Sequence, residues 1–427
     1  MPLSDRGSSS TFLEMHHMRI RRMFSKTVSP VVADFGAASV KLLQVADGDA
    51  PSIVAAAELE IPDEARGNVD RRFAFLAEEL QGVLRGHSFE GKRVICSPAS
   101  SHFIVQQNRT DESSPLSADD QVAAEVAGRM NCLPKAVVAR SFPIPGSERD
   151  RVVLAIARDD VMRHVDLFKR CRHDLVGVQP DQVPMLHAFD HLHRRDEDRS
   201  ISTMYVDAGW GAVKVAVARG GQLVFARIIH VGGRQFDEIA ATTWGCTTTD
   251  ARGRRRRSEA TNVAPKPIAG PETSGPGAGS VMLRAGMAKA DADRNRTDAT
   301  QDPSVALTED RRTGEPSPTL AGVTTACPQP DFLEVHETIA DELSMCARYA
   351  QASLGAPIDR MVMLGGESHS RRFAGHLARR LGIKTSVGDP VRRLLDHTPI
   401  GVGPLEPGRE YPEWVVACGM CAMGAAA

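Results

Sequence analysis

Long apolar runs are missing from this chain. None of its 427 residues lie in a stretch approaching the roughly 20 apolar residues that a membrane-spanning helix needs. The nearest, residues 414–427, is short and rich in Ala and Gly. No apolar segment follows the basic residues near the N-terminus, so no secretory signal is expected. Aromatic residues are scarce, at 5%, and the 42% apolar and 25% charged composition is that of a soluble globular protein. Net charge is nearly absent too: a formal −2 gives no global field to draw the chain to nucleic acid or to an anionic membrane. The eight cysteines are scattered as in a reduced cytoplasmic protein. Cys418 and Cys421 form a CxxC with no second pair and no histidine cluster nearby. A closely packed small-residue helix is expected there in place of a zinc site.

One segment lacks a core altogether. Residues 247–330 contain no Phe, Trp or Tyr and few branched aliphatics, and are built from Pro, Gly, Ser, Thr, Asp and Arg. Such a composition does not bury enough apolar surface to offset backbone ordering entropy, so a long disordered insertion is expected. A marginal helix is expected at 281–292, and the run Arg254 to Arg257 reads as solvated charge. Residues 1–28 read as a flexible leader with a basic stretch at 18–26.

On either side of the insertion, strand and helix signals are mixed, which makes an α/β protein. Strands are expected at 31–33, 40–45, 53–61, 93–97, 152–156, 203–206, 213–218, 223–229 and 360–364. Helices are expected at 69–85, 117–130, 159–172 and 370–381. A longer one carries Phe332, Val335, Ile339, Leu343, Cys346, Ala350 and Leu354 along a single stripe.

The chemistry lies in a repeat. Residues 34–41 read DFGAASVK and residues 207–214 read DAGWGAVK, sharing D-x-G-x-x-x-V-K. Each follows one short apolar strand and leads into another, once in each half, which implies two related lobes facing one another. Gly36 and Gly209 let the backbone turn tightly and approach a ligand. Successive N–H groups in such a turn form an anion nest. Asp34 and Asp207 at the strand ends suit the hydration shell of Mg²⁺, and Lys41 and Lys214 supply positive charge where they point inward. A third element, residues 364–382, runs from a strand into Gly365-Gly366 and then a helix, a turn that admits a base or ribose.

These motifs resemble the two phosphate loops and the adenosine loop of the actin, sugar kinase and heat-shock chaperone superfamily. Within it, RMVMLGGESHSRRFAGHLARRLGIKTSVGDP, GGQLVFARIIHVGGRQF and LSADDQVAAEVAGRMNCLP are similar to PilM-type pilus assembly proteins and their cell-division cousin FtsA. The resemblance implies a two-lobed actin-like ATPase (ribonuclease H-like) fold with a small inserted subdomain. It divides the chain into a first-lobe core at 29–110, the small subdomain at 111–185, second-lobe pieces at 186–246 and 331–427, and the insertion at 247–330. It implies ATP with Mg²⁺ as cofactors, Asp34 and Asp207 acting on the metal through water. Gly36, Ala37, Ala38, Ser39, Lys41, Gly209, Trp210 and Gly211 would line the phosphates, and Gly365, Gly366 and Glu367 the adenosine. Asp181 and Asp207 are the catalytic candidates for slow hydrolysis. The family pattern has small hydroxyl residues where Ala37, Ala38 and Trp210 stand, a further Gly at Glu367, and an acidic pair at Gln179 and Asp181.

The implied role is a cytoplasmic scaffold at the inner face of the plasma membrane, in a type IV pilus or type II secretion-like assembly. Its partner would be the cytoplasmic tail of a PilN-like inner-membrane protein, with membrane association through partners, self-association allowed and no nucleic acid. The alternatives are a degenerate pseudo-ATPase that only binds partners, and an FtsA-like cell-division protein. A small-molecule kinase would need a general base beyond the loop aspartates, and the C-terminal run WVVACGMCAMGAAA has no basic residue for a membrane-tethering helix.

Overall fold

The computed structural model describes residues 28–48, 50–147, 149–192, 195–261, 328–399 and 401–425. The leader up to residue 27, its basic stretch at 18–26, residues 262–327 and the expected helix at 281–292 lie outside the described residues.

Strands β1 (Val31–Phe35), β2 (Ser39–Ala46), β3 (Ser52–Glu60), β4 (Arg93–Ser97), β5 (Phe103–Arg109), β6 (Val137–Pro143), β7 (Asp150–Ala157), β8 (Asp174–Val178), β9 (Ser202–Ala208), β10 (Val213–Arg219), β11 (Gln222–Ile229), β12 (Arg360–Leu364) and β13 (Thr385–Val387) form three sheets. Two of them share one plan. In the order β3-β2-β1-β4-β8, three antiparallel strands are followed by parallel ones. The order β11-β10-β9-β12-β13 repeats it. The duplicated motif is therefore a duplicated sheet. The third sheet, β5-β7-β6, is inserted between β4 and β8.

Both faces of the large sheets are covered: β1 and β2 are buried at every position and β10 at all but Arg219. The helices are α1 (Asp63–Arg66), α2 (Val69–Gly86), α3 (Ala118–Arg129), α4 (Arg158–Arg170), α5 (Gln182–His187), α6 (Gly233–Trp244), α7 (Thr248–Thr261), α8 (Leu333–Leu354), α9 (Arg371–Leu381), α10 (Arg392–Leu395) and α11 (Val415–Ala425). In the first lobe α2 buries Leu76, Leu80 and Leu84, one turn apart, against Leu167 and Phe168 of α4 and the sheet. In the second, α8 buries Ile339, Leu343, Cys346 and Ala350, and ends at the left-handed Gly355. Helix α11 packs on α5 and on β1 and β2. A Cβ at Gly419 would fall on the Pro184 carbonyl, so this approach requires glycine. Cys418 and Cys421 are buried free thiols in that contact.

Helix α7 departs from the expectation of disorder beginning at Thr247. The Thr247 hydroxyl accepts from Asp250 N at 3.1 Å, a side-chain N-cap that starts the helix, and donates to Asp250 Oδ2 at 2.8 Å. Its inner face carries Ala251, packed on Ala240 and Ala241 of α6, together with buried Arg252 and Arg255. The arginine run is thus not simply solvated: Arg255 turns inward, while Arg254, Arg256 and Arg257 are exposed.

Candidate functional site

The D-x-G-x-x-x-V-K spacing has a direct geometric consequence. Strand, turn and antiparallel strand place the first and last residues of the motif opposite one another. Asp34 pairs in register with Lys41, and Asp207 with Lys214. Both lysines therefore point the same way as their aspartates.

The two hairpins converge. Lys214 Nζ lies 2.5 Å from Asp207 Oδ2 and 3.0 Å from Asp181 Oδ2, all three side chains buried. Burial opposes the charge on Lys214, yet Asp181, Asp207 and Asp34 hold its pKa above the ordinary lysine value. Asp34 has the opposite fortune. Burial raises its pKa to about 7, against the pull of Lys41 and Lys214 and with the push of Asp181 and Asp207. Asp181 is further held by the Ser97 hydroxyl. With Lys214 on both Asp181 and Asp207, neither catalytic candidate is a free base in this arrangement.

The loops themselves touch. A Cβ at Gly211 would come within 2.8 Å of the Ala37 methyl, so the second loop lies directly against the first. Gly36 and Ala37 offer their carbonyls to Arg72 of α2 at 2.7 and 3.1 Å. Ala38 O accepts from Ile61 N at 2.9 Å. Ser39 donates to Glu58 at 2.6 Å, and Lys41 reaches Ser39 at 3.2 Å and Glu58 at 3.8 Å. In the second loop Gly209 N reaches Ala212 O at 3.0 Å, while the Gly209 and Trp210 carbonyls receive Gly233 N and Arg234 N from the start of α6. Gly365, at φ +81°, leaves no room for a side chain: a Cβ there would fall on Asp207 Oδ1 and the Ala208 carbonyl. The third loop thus abuts the second at its aspartate.

Around Gly366 and Glu367 a second polar cluster appears that the sequence reading missed. Trp210 Nε1 donates to Asp237 at 2.8 Å. Arg255 donates to Asp237 at 2.7 and 2.9 Å and to Glu367 at 3.0 and 3.4 Å. Burial disfavours the Arg255 charge, but Glu367 and Asp237 hold its pKa above the usual arginine value. The Arg66 guanidinium sits over the Trp210 ring, 5.1 Å from its centroid. Asp237 and Arg255 carried no motif. Their only signals are an acid at the fifth position of a helix opened by Gly-Gly, and the T-x-x-D start of α7. Arg72 likewise went unnoticed, as an arginine on the apolar face of α2.

A further observation bears on a bound group. Gln182, next in the chain to Asp181 and buried, has no hydrogen-bond partner for either amide atom among the described residues. Among the same residues no group of three or more His, Cys, Asp or Glu side chains is arranged to hold a metal directly. No helix of the described residues is long and apolar enough to cross a membrane.

No protein-family model matches the chain, and no curated protein matches it. Solved structures do. A chain of a PilM-PilN type IV pilus biogenesis complex aligns with a TM-score of 0.65 over 94% of this chain and 99% of that one, at 17% identity. This chain has the two-lobed actin-like ATPase fold. Weaker likenesses are to the ethanolamine utilization protein EutJ from Carboxydothermus hydrogenoformans (TM-score 0.45, 10% identity, 93% of this chain and 90% of that one). MreB5 of Spiroplasma citri bound to ADP is similar at TM-score 0.40 and 10% identity, over 86% of this chain and 94% of that one. The two Asp-Gly loops and the Gly365-Gly366 loop meet one another, Gly211 against Ala37 and Gly365 against Asp207.

Proposed function

We propose that the chain is a PilM-type, ATP-binding scaffold of a type IV pilus or type II secretion-like inner-membrane assembly, working at the cytoplasmic face of that membrane. The observation that carries the nucleotide reading is the convergence of both Asp-Gly hairpins on one buried cluster, with Ala37 against Gly211 and Lys214 joining Asp207 to Asp181. Asp34, raised to about 7 by its burial and by the nearby Asp181 and Asp207, would be drawn to its charged form by a hydrated Mg²⁺ arriving with nucleotide. Bound Mg²⁺ would neutralise phosphate charge. The chain's own part is to position the phosphates with Gly36, Ala37, Ala38, Ser39, Gly209 and Gly211, and to keep Asp34 and Asp207 aimed at the metal's water shell. Lys214 fixes Asp207, while Lys41 reaches Ser39 and Glu58. Hydrolysis by Asp181 or Asp207 would require Lys214 to release one of them.

The partner reading rests on the inserted sheet. Strands β5 and β11 are edge strands of different sheets, and between them runs a groove of about 530 Å³ whose lining includes Phe103, Val105, Gln107, Phe225 and Tyr349. An extended, apolar cytoplasmic tail of a PilN-like membrane protein fits such a groove, with main-chain bonds to a strand edge and side chains in the aromatic lining. Helix α11, buried on α5 and the first sheet, is not presented for the membrane tethering that an FtsA-like role requires.

Isothermal titration with Mg-ATP tests the nucleotide reading. Binding lost in both Asp34→Ala and Asp207→Ala supports it; unchanged affinity in both removes the site assignment. A second reading, a partner-binding scaffold without nucleotide, is favoured by the Arg255 cluster beside Gly366. Silence at millimolar Mg-ATP, with a PilN-like tail still captured and Val105→Glu abolishing that capture, would select it.

A further inference from the structure

Two residues that depart from the family pattern, the half-buried Trp210 and the buried Glu367, are joined through Asp237 and Arg255 into one network. The side chains of Arg255, Asp237 and Glu367 are 4%, 3% and 6% exposed, so the cluster is sealed from water. Its position matters more than its burial. A Cβ at Gly233 would fall on the Glu367 carboxylate, so that carboxylate fills the space at the start of α6. Arg256 Nη2 lies 3.7 Å from where a Gly366 Cβ would be. The turn beside which a nucleoside would lie is occupied by the chain's own guanidinium groups.

Helix α7 also reaches the other lobe. Thr248 Oγ1 is 3.4 Å from Asp63 Oδ2 of α1, and Thr249 bonds the same carboxylate. Arg252 Nη1 is 3.3 Å from Glu60 Oε1 at the end of β3. Arg66, one helix turn from Asp63, stacks on Trp210 of the second lobe. One short helix is thus tied to both sides of the cleft, inward through Arg255 and outward through Thr248, Thr249 and Arg252.

The chemistry of these ties is unusual for a permanent element. A buried ion cluster gives up hydration that an apolar contact of the same size would not, so it is a poor choice for stability alone. It is a good choice for a contact that must open into water, because every group released is rehydrated. The apolar anchor of α7 is Ala251 on Ala240 and Ala241, with Trp244, Cys246 and Phe332 beside it and Arg254 and Arg255 over the Trp244 and Phe236 rings.

We propose that α7 is an intramolecular latch whose Arg255 occupies the nucleoside side of the cleft, so that latch and nucleotide exclude one another. The inference rests on the ATP-binding reading and names the regulation of that same site. Nucleotide enters only when Arg255 leaves Asp237 and Glu367, and the apparent affinity falls by the fraction of molecules that are latched. Whatever pulls α7 away, a partner or an acidic ligand for its exposed arginines, primes the cleft.

The test compares wild type, Arg255→Ala and Glu367→Gly in the full chain. Glu367→Gly breaks the latch without leaving a buried arginine partnerless toward Asp237, and serves if Arg255→Ala fails to fold. Trypsin should cut within α7, after Arg252 or Arg254, faster in both variants than in wild type. Titration with Mg-ATP should show a roughly tenfold or greater gain in affinity in both. Cleavage of α7 at the wild-type rate in both overturns the latch. ATP binding in wild type that Asp34→Ala abolishes, with no gain in either latch variant, overturns the exclusion and leaves the nucleotide reading intact. Faster cleavage with no ATP bound by any variant overturns both the nucleotide reading and the exclusion built on it.

Discussion

Gly211 lies against Ala37 so closely that a single added carbon would meet the alanine methyl at 2.8 Å. These residues come from opposite lobes, one in each copy of the repeated loop, and their contact measures how far the cleft is closed. A larger residue at Gly211 must push the loops apart. Gly211→Val is expected to keep each lobe folded, because the crowding falls between lobes and not within either core. It should hold the cleft ajar, weaken Mg-ATP binding by about 1–3 kcal/mol of overpacking cost, and enlarge the radius of gyration in solution scattering. A variant with unchanged affinity and unchanged scattering would mean the loops do not need to meet.

The cluster around Lys214 makes a stability prediction. Its ammonium is the only cation within 3.0 Å of both Asp181 and Asp207 among the described residues. Lys214→Met strands two buried carboxylates, and breaking a buried pair in this way typically costs about 3–5 kcal/mol. Adding Asp207→Asn should recover part of that loss, since the amide needs no counter-charge. Urea denaturation of the single and double variants checks this. Equal stability of the wild type and Lys214→Met would show that the cluster carries no coupling.

Much of this was legible in the sequence. The repeat D-x-G-x-x-x-V-K, seven residues from acid to base, is readable because an antiparallel hairpin turns that spacing into an opposite pair, as at Asp207 and Lys214. The stripe through Ile339, Leu343, Cys346 and Ala350 gave the longest helix because its burial repeats with the helical period. Helix α7 was not legible in the same way. Its buried face consists of Ala251, Arg252 and Arg255, so a search for apolar periodicity finds nothing, and the carboxylates that satisfy those arginines belong to α1's neighbour β3, to α6 and to the Gly366 turn. Composition judges a segment alone, whereas this helix is held by charges supplied from elsewhere. The small strands β5 and β6 escaped for a related reason: β5 carries Gln106 and Gln107 between its buried Phe103 and Asn108, and β6 buries only Val137 and includes Arg140.

Asp34 predicts a pH dependence with a definite sign. Burial lifts its pKa from the ordinary 3.8 to about 7. Between those values the unfolded chain has lost the proton while the folded chain keeps it. Its contribution is therefore fully present below about pH 4 and is lost as the pH rises through 7, by up to about 4 kcal/mol. Asp34→Asn removes the titration. The variant should match or trail wild type near pH 4 and gain on it steadily toward pH 8, as read by denaturant midpoints across that range. A difference that is flat with pH would place Asp34 in a hydrated setting and contradict its burial.

Trp210 offers the most direct view of the cleft in solution. Its indole N–H is bonded to Asp237 at 2.8 Å and its face carries Arg66, so its surroundings belong to both lobes and to the latch. The other two tryptophans are Trp244, on the outer end of α6, and Trp414, buried in the core beneath α11. In a Trp244→Phe background, a change in emission on adding Mg-ATP reports chiefly on Trp210. Release of Asp237 by Arg255 opens this corner to water, and the expected response is a red shift that saturates with nucleotide and is lost in Trp210→Phe. Glu367→Gly should show part of the shift before any nucleotide is added. If emission stays fixed while titration calorimetry shows ATP bound, nucleotide enters without disturbing Asp237, and the indole is not part of the moving contact.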